Sequence, residues 1–214
     1  DQPAQALANG LLREGVASVT CGTGGQVFVP LIPRAGTPPP TDPRVHVFNH
    51  AAPDTLYVLG AILAAGLSLR WLRNTLGLAA DPDAYPRLSA DAAQVDIGAD
   101  GLLFLPYLVG ERTPHMDSQA RGAFVGLTYT HGRGHLARAV MEGVVFALRQ
   151  TLEICLTLGA PVDQLIVSGG GAESAVWRQI QADVFGLPLR KTLTGEQTSI
   201  GAAVLAAVGV GLYT

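Results

Sequence analysis

The feature that most constrains the fold is a regular apolar stripe between residues 135 and 158. Apolar side chains recur at every fourth position of this stretch, at Leu136, Val140, Val144, Leu148 and Leu152. This spacing places side chains on one side of an α-helix, so the stripe predicts a long helix with one buried face. Gly159 follows the stripe and predicts the end of the helix.

The other apolar segments alternate between strand-like and helix-like patterns. Strands are predicted at residues 16–21, 26–30, 55–63, 101–108, 122–127 and 165–167. Further helices are predicted directly after Asp1 and at 67–76, 174–185 and 199–208. Segments 30–43 and 81–91 contain prolines and predict loops. Strands that alternate with helices predict an α/β fold.

The composition argues against several classes of protein. A hydrophobic content of 48% and a formal charge of -3 predict a soluble globular chain. The 14 cationic residues, of which only Lys191 is a lysine, are dispersed, which argues against nucleic-acid binding and membrane-surface binding. The most apolar runs, 58–69 and 200–212, are shorter than the roughly 18 to 20 residues of a membrane span. Cys21 and Cys155 lack companions for a disulfide framework, so we expect a reducing cytoplasm.

A glycine turn, Gly22-Thr23-Gly24-Gly25, joins the first two predicted strands. Glycines let the backbone turn sharply and present successive N–H groups, together with one hydroxyl, to an anion such as phosphate. An ordinary glycine hairpin has the same composition. On the sequence alone, the ordinary hairpin is the favoured interpretation and the phosphate site is the alternative.

A second glycine turn, Ser-Gly-Gly-Gly-Ala-Glu-Ser at residues 168–174, follows a predicted strand and precedes a predicted helix. Such a turn directs unshielded backbone and the positive end of a helix dipole into one crevice, which suits a nucleotide. A dinucleotide-binding fold is a weaker alternative. Ser174 replaces its third glycine, and Arg190 and Lys191 stand where an acidic ribose ligand is required.

Three other positions have a structural interpretation on the sequence alone. Gly66 and Arg70 lie four residues apart and so share one face of a predicted helix, as a turn glycine and a solvated arginine. Asp1 can N-cap the first helix, with Pro3 in its first turn, and helix N–H groups would keep its carboxylate ionised. The sequence alone favours a frayed helix cap.

Charged residues are concentrated between residues 110 and 138, together with glycine and proline. Glu111, Arg112, Asp117 and Arg121 predict a buried ion-pair network that holds this loop.

His131 and His135, in the same segment, have the spacing of zinc ligands on a helix. Gly132 and Gly134 break that helix, and no third His or Cys ligand is near. Structural histidines at the start of a helix are therefore the favoured interpretation.

The segment 110–138 resembles the C-terminal signature of the FGGY carbohydrate kinases, which are sugar kinases of the actin-like ATPase superfamily, and it is most similar to xylulokinases. The resemblance extends over nearly all 214 residues. It implies an actin-like (ribonuclease H-like) α/β domain with a mixed sheet and flanking helices. It also implies that residues 1–214 are the C-terminal nucleotide-binding domain, with an N-terminal sugar-binding domain absent from this chain.

The resemblance further implies transfer of the ATP γ-phosphate to a sugar hydroxyl with Mg²⁺. D-xylulose is the expected acceptor, and ribulose, gluconate or glycerol remain open. Asp1 is the implied catalytic base and Gln2 a sugar contact, while the implied nucleotide contacts are Gly22, Thr23, Gly24, Gly66, Arg70, Gly170, Gly171 and Ser174. The chain alone is expected to be inactive, and a homodimer is left open.

Two alternative functions belong to other classes of protein. A non-catalytic actin-like nucleotide-binding domain is the stronger one, and a nicotinamide oxidoreductase is the weaker one.

Overall fold

The structure is a computed structural model that describes residues 1–192 and 195–213. Its helices are α1 (Gln2–Ala8), α2 (Gly66–Thr75), α3 (Ala84–Ala93), α4 (Arg133–Thr157), α5 (Ala175–Phe185) and α6 (Gln197–Gly209). Its strands are β1 (Gly15–Cys21), β2 (Gly25–Leu31), β3 (His46–Asn49), β4 (Leu56–Ile62), β5 (Leu103–Leu105), β6 (Ala123–Val125), β7 (Val162–Ser168) and β8 (Leu189–Lys191). The predicted α/β class is confirmed.

Six strands form a mixed sheet in the order β3-β4-β2-β1-β7-β8. The pairs from β3 to β1 are antiparallel, whereas β7 is parallel to both β1 and β8. Thr20 of β1 pairs with Ser168 of β7, so these two parallel strands end side by side. The two glycine turns, which follow these strands, are therefore neighbours at the carboxyl ends of β1 and β7.

One face of the sheet packs against α4, the helix that the apolar stripe predicted. The stripe residues Val140, Val144, Leu148 and Leu152 are all 0% exposed, and Leu136 is half-buried against the same core. The helix is also covered on its other side by the two-stranded sheet of β5 and β6. Gly143 lies so close to the Phe104 carbonyl that a side chain there would have no room. Burial from two sides explains why α4 is the centre of the core.

The opposite face of the sheet carries α1. Ala6 and Leu11 bury a small cluster there with Phe28 and Tyr57. Helix α6 packs on α1, and Gly201 contacts the Ala4 backbone so closely that no Cβ would fit.

Beyond this contact, α6 is largely exposed and apolar. Residues 197–213 contain no charged side chain. The exposed large side chains of the helix are Ile200, Val204, Leu205 and Val208, at 37–46% exposure. Within the described ranges, no helix combines the length and apolarity that a membrane span requires.

The predicted loop at 81–91 is wrong, because α3 occupies most of it. Pro86 is the third residue of α3, in the first turn, where a missing N–H breaks no helical hydrogen bond. Strands β3 and β8 were not predicted, and both are short edge strands. The strand predicted at 101–108 shrinks to β5, preceded by a 3-10 turn at Ala99–Gly101.

Candidate functional site

A cleft of about 750 Å³ opens beside the two glycine turns. Its walls come from the β1–β2 turn, the turn after β7, helices α2 and α3, and the start of α5. This volume is in the range of small-molecule sites. The lining residues are Cys21, Gly22, Thr23, Gly66, Leu69, Arg70, Tyr85, Pro86, Ser89, Ala90, Gly170, Gly171, Glu173, Ser174, Ala175, Val176 and Trp177.

The structure brings most of the predicted nucleotide contacts together in this cleft. All of them line it except one. The exception is Gly24, where a Cβ would lie 2.9 Å from the Ile62 carbonyl oxygen, so this glycine serves the packing of the turn on β4.

The β1–β2 turn is fixed to the start of α2 by backbone hydrogen bonds. The Gly66 N–H donates to the Gly22 carbonyl at 2.7 Å, and the N–H groups of Ala65 and Leu67 both donate to the Thr23 carbonyl at 3.0 Å. A Cβ on Gly66 would lie 2.5 Å from the same Gly22 oxygen. Gly66 is therefore glycine because two backbones meet there.

The turn after β7 packs against the end of β1. Gly169 has a φ of 81°, and a Cβ at Gly171 would lie 2.6 Å from the Cys21 Sγ. Gly170, between them, has nothing within 4 Å of an added Cβ. Among the described residues, no contact requires glycine at position 170, so its backbone is open to the cleft that it lines.

The third wall of the cleft comes from α3, which the sequence analysis missed. Tyr85, Pro86, Ser89 and Ala90 line the cleft from this helix. The Ser89 Oγ lies 3.1 Å from the Oγ of Ser174, which in turn caps α5 by accepting the Trp177 N–H at 3.2 Å. A signal was available, because Ala84, Leu88 and Ala92 recur at every fourth residue and all are buried.

The charges around the cleft are few. Arg70 is exposed and is the cation among the lining residues. The carboxylate of Glu173 pairs with the Lys191 Nζ at 2.6 Å. Burial raises the pKa of the Cys21 thiol to about 12, so the floor of the cleft is neutral. Among the described residues, no group of three or more His, Cys, Asp or Glu side chains is placed to hold a metal ion.

Asp1 and Gln2 lie outside the cleft, at the start of α1 on the opposite face of the sheet. Asp1 is the N-cap residue, but its side chain accepts no capping hydrogen bond, so the predicted stabilisation of its carboxylate by helix N–H groups is wrong.

Helix α1 is nevertheless tied to the strand ends beside the cleft. The Gln5 Nε2 lies 3.3 Å from the Thr20 Oγ1 and 3.4 Å from the Ser168 Oγ, and these two hydroxyls lie 2.9 Å apart.

The predicted buried ion-pair network in the 110–138 segment is wrong. Glu111 is only 3% exposed, and its Oε1 accepts the backbone N–H groups of Leu63 at 2.9 Å and Arg112 at 2.7 Å. The other charged residues of the proposed network are at the surface and bond to nearby groups: Arg112 to His46, Asp117 to the Gln119 N–H, and Arg121 to the carbonyls of Ser118 and Ala120.

The structural role of the two histidines is confirmed. The His131 Nδ1 accepts the Thr128 N–H at 3.0 Å, and the His135 Nδ1 accepts the Gly132 N–H at 3.1 Å. Both bonds organise the start of α4.

Comparison with known proteins identifies the family of the chain. The family model "FGGY family of carbohydrate kinases, C-terminal domain" matches residues 17–210. The chain belongs to the FGGY family of carbohydrate kinases. The predicted family resemblance is thereby confirmed.

Several FGGY relatives match nearly the whole length of the chain. It is 39% identical over 213 residues to a xylulose kinase of Staphylococcus epidermidis, covering 100% of this chain and 42% of the relative. It is 36% identical to a gluconokinase of Bacillus subtilis, covering 94% of this chain and 39% of the relative. The chain thus spans about two-fifths of the length of these relatives.

Solved FGGY structures share the fold. The xylulose kinase of Rhodospirillum rubrum superimposes with a TM-score of 0.89 at 36% identity, covering 99% of this chain and 41% of that one. The glycerol kinase of Plasmodium falciparum with ADP superimposes with a TM-score of 0.84 at 25% identity, covering 100% of this chain and 42% of that one. Because such sugar kinases have the actin-like ATPase fold, the predicted fold is confirmed.

Proposed function

We propose that this chain is the ATP-binding C-terminal half of a sugar kinase that transfers the γ-phosphate of ATP to D-xylulose. The observation that carries the proposal is the cleft, in which two glycine turns and the start of α5 converge in a member of the FGGY family. The relatives named xylulose kinase favour D-xylulose. The gluconokinase and glycerol kinase among the neighbours keep gluconate and glycerol as alternatives, and ribulose remains a further one.

The adenosine belongs at the turn after β7. Gly170 offers open backbone there, Gly171 and Ser174 flank it, and Trp177 and Tyr85 contribute apolar surface. The start of α5 adds the partial positive charge of a helix amino terminus. A nucleotide placed here would extend its phosphates toward the β1–β2 turn.

The phosphates belong between the β1–β2 turn and α2. Gly22 and Thr23 supply backbone and a hydroxyl, Gly24 lies just behind them, and Arg70 supplies a positive charge from one helical turn beyond Gly66. The described residues provide no carboxylate cluster for a metal. Mg²⁺ in this proposal therefore accompanies the nucleotide, since this ion is commonly held mainly by substrate phosphates and water.

Catalysis is assigned to the start of α1. Asp1 has an exposed carboxylate that can orient the acceptor hydroxyl and take its proton late in a loose phosphoryl-transfer transition state, in which positioning and charge neutralisation provide most of the rate. Gln2 is the adjacent sugar contact. The N-terminal sugar-binding domain lies outside residues 1–214 in this proposal, so we expect the chain alone to bind nucleotide without phosphorylating sugar.

Calorimetric titration of the chain with ADP tests the nucleotide site. Gly170→Val places a branched side chain where the backbone must approach adenosine, and we expect it to abolish measurable binding. Gly132→Val is the matched control, because Gly132 also has open space and a negative φ but lies outside the cleft. Equal ADP affinity in the wild type and in Gly170→Val would contradict the proposal that the nucleotide binds at this turn. For a full-length protein that contains the chain, ATP-dependent phosphorylation of D-xylulose separates a kinase from a non-catalytic actin-like domain.

A further inference from the structure

We propose that Glu111 is a positioning residue of the nucleotide cleft, which fixes the bend between β4 and α2 against which the phosphate-binding turn rests. The inference rests on the proposed function, because it concerns the same cleft. Glu111 does not line the cleft itself. Its effect is therefore transmitted through the backbone that it holds.

The first step is the contact between the carboxylate and the bend. The Glu111 Oε1 accepts the Leu63 N–H at 2.9 Å, directly after the last residue of β4. The same oxygen accepts the N–H of Arg112 at 2.7 Å. One buried oxygen thus joins the end of β4 to the loop that begins at Gly110.

The second step is the contact between the bend and the phosphate-binding turn. Residues 63–66 form the bend, and Gly66 and Ala65 donate their N–H groups to the carbonyls of Gly22 and Thr23. Gly24 lies against the Ile62 and Leu63 carbonyls, at 2.9 and 3.4 Å from where its Cβ would be. The turn is thus hydrogen-bonded to the bend and packs on it, so a shift of Leu63 would act on the turn that lines the cleft.

The third step is that the loop behind Glu111 is itself fixed. Glu111 and Asp117 exchange two backbone hydrogen bonds, at 2.8 and 2.9 Å. Thr113 binds Ala61 of β4 twice, donating its N–H at 3.1 Å and accepting the Ala61 N–H at its Oγ1 at 3.2 Å. Glu111 therefore acts from a rigid support, and this arrangement is suited to hold a backbone element at a fixed position.

A role in stability alone does not account for a carboxyl group at this position. Burial of a carboxylate is costly unless both oxygens are satisfied, and the buried Oε2 has no hydrogen-bond partner among the described residues. A neutral side chain of similar size could fill the same space. The two backbone amides that converge on Oε1 explain why an acceptor is required there.

The test compares ADP affinity, measured by calorimetry, with thermal stability in a set of variants. Glu111→Leu removes the acceptor and should weaken ADP binding at least about tenfold, while Glu111→Gln keeps an acceptor oxygen and should stay within about threefold of the wild type. Thr55→Val is the matched control, because Thr55 is also buried and its Oγ1 donates to the Pro53 carbonyl at the far end of β4, away from the bend. It should lower the melting temperature while ADP affinity stays within about threefold of the wild type.

Amide hydrogen exchange provides a second readout. Glu111→Asp shortens the side chain by one methylene and is expected to fold even if Glu111→Leu does not. In this variant, exchange should accelerate at residues 63–67 and 22–24 before it accelerates in α4, and ADP binding should weaken.

The outcomes separate the inference from the proposed function. If the wild-type chain fails to bind ADP, the nucleotide site is wrong and this inference falls with it. If the wild type binds ADP and the folded Glu111→Leu and Glu111→Asp variants bind it equally well, only the role of Glu111 is wrong. If Thr55→Val loses affinity as much as the Glu111 variants do, Glu111 contributes only to general stability and the inference is also overturned.

Discussion

The hydroxyl oxygens of Ser89 and Ser174 lie 3.1 Å apart and join the middle of α3 to the start of α5 across the cleft. Ser174 also caps α5 through the Trp177 N–H. The same residue therefore organises a helix terminus and connects two walls of the cleft. The two serines can be separated experimentally, because only one of them is a cap.

Ser174→Ala should lower the free energy of unfolding by about 1 kcal/mol, the usual effect of losing an N-cap. Ser89→Ala removes the contact between the two hydroxyls but leaves the cap, so it should lower the free energy of unfolding by less. Urea denaturation of both variants measures the difference. Equal losses would show that the Ser174 cap adds nothing to the stability of α5.

Gly170 and Gly171 are adjacent, but substitution by alanine should destabilise the protein only at Gly171. Gly171→Ala places a Cβ 2.6 Å from the Cys21 Sγ and should cost about 1 to 3 kcal/mol through overpacking. Gly170→Ala enters open space and should change stability by less than about 0.5 kcal/mol. Thermal unfolding of the two variants measures both effects. A clearly destabilised Gly170→Ala variant would contradict the open space at this position.

The proposed roles of Asp1 and Thr23 predict different kinetics in a full-length protein that contains this chain. Asp1→Asn keeps the size of the side chain but removes the proton acceptor, so kcat for D-xylulose should fall by roughly two to four orders of magnitude with ATP binding retained. Thr23→Val removes a hydroxyl at the phosphates and should weaken ATP binding and turnover together. Steady-state kinetics with both substrates distinguish the two variants. Near-normal turnover of a folded Asp1→Asn protein would show that Asp1 has no catalytic role.

Glu111 predicts a pH dependence of stability. Burial raises the pKa of its carboxyl above the ordinary 4.5, and the backbone hydrogen bonds from Leu63 and Arg112 oppose this shift. The folded state therefore binds the proton more tightly than the unfolded state, so the contribution of Glu111 to stability is largest below pH 4.5 and is lost as the pH rises through the folded-state pKa.

Glu111→Gln cannot titrate and should gain stability relative to the wild type over that window. Urea denaturation of both proteins from about pH 4 to about pH 7.5 measures the gain. Parallel stability curves for the two proteins would contradict the raised pKa.

Periodicity and glycine placement predicted most of the fold. The stripe of α4 and the glycine turns have strong local signatures, so their positions followed from the sequence. Helix α3 did not, because Pro82 and Pro86 were interpreted as loop residues although a proline in the first helical turn is well tolerated. The edge strands β3 and β8 are too short to show an alternating pattern.

The site was predicted in part, for a related reason. Single glycines and the cap Ser174 are recognisable along the chain. Tyr85 and Ser89 enter the cleft only through the packing of α3 against α4 and α5, which no local pattern specifies. Glu111 was expected to pair with arginines, but two backbone amides that come together only in the fold hold it instead.

Helix α6 has a consequence for handling the chain in solution. The net charge of -3 is carried entirely by other parts of the sequence, so it does little to keep two molecules apart when they approach along this uncharged helix. Sulfate and other excluded salts strengthen apolar association and should bring molecules together there first. A polar residue at Leu205 should therefore raise the concentration at which the chain stays dispersed.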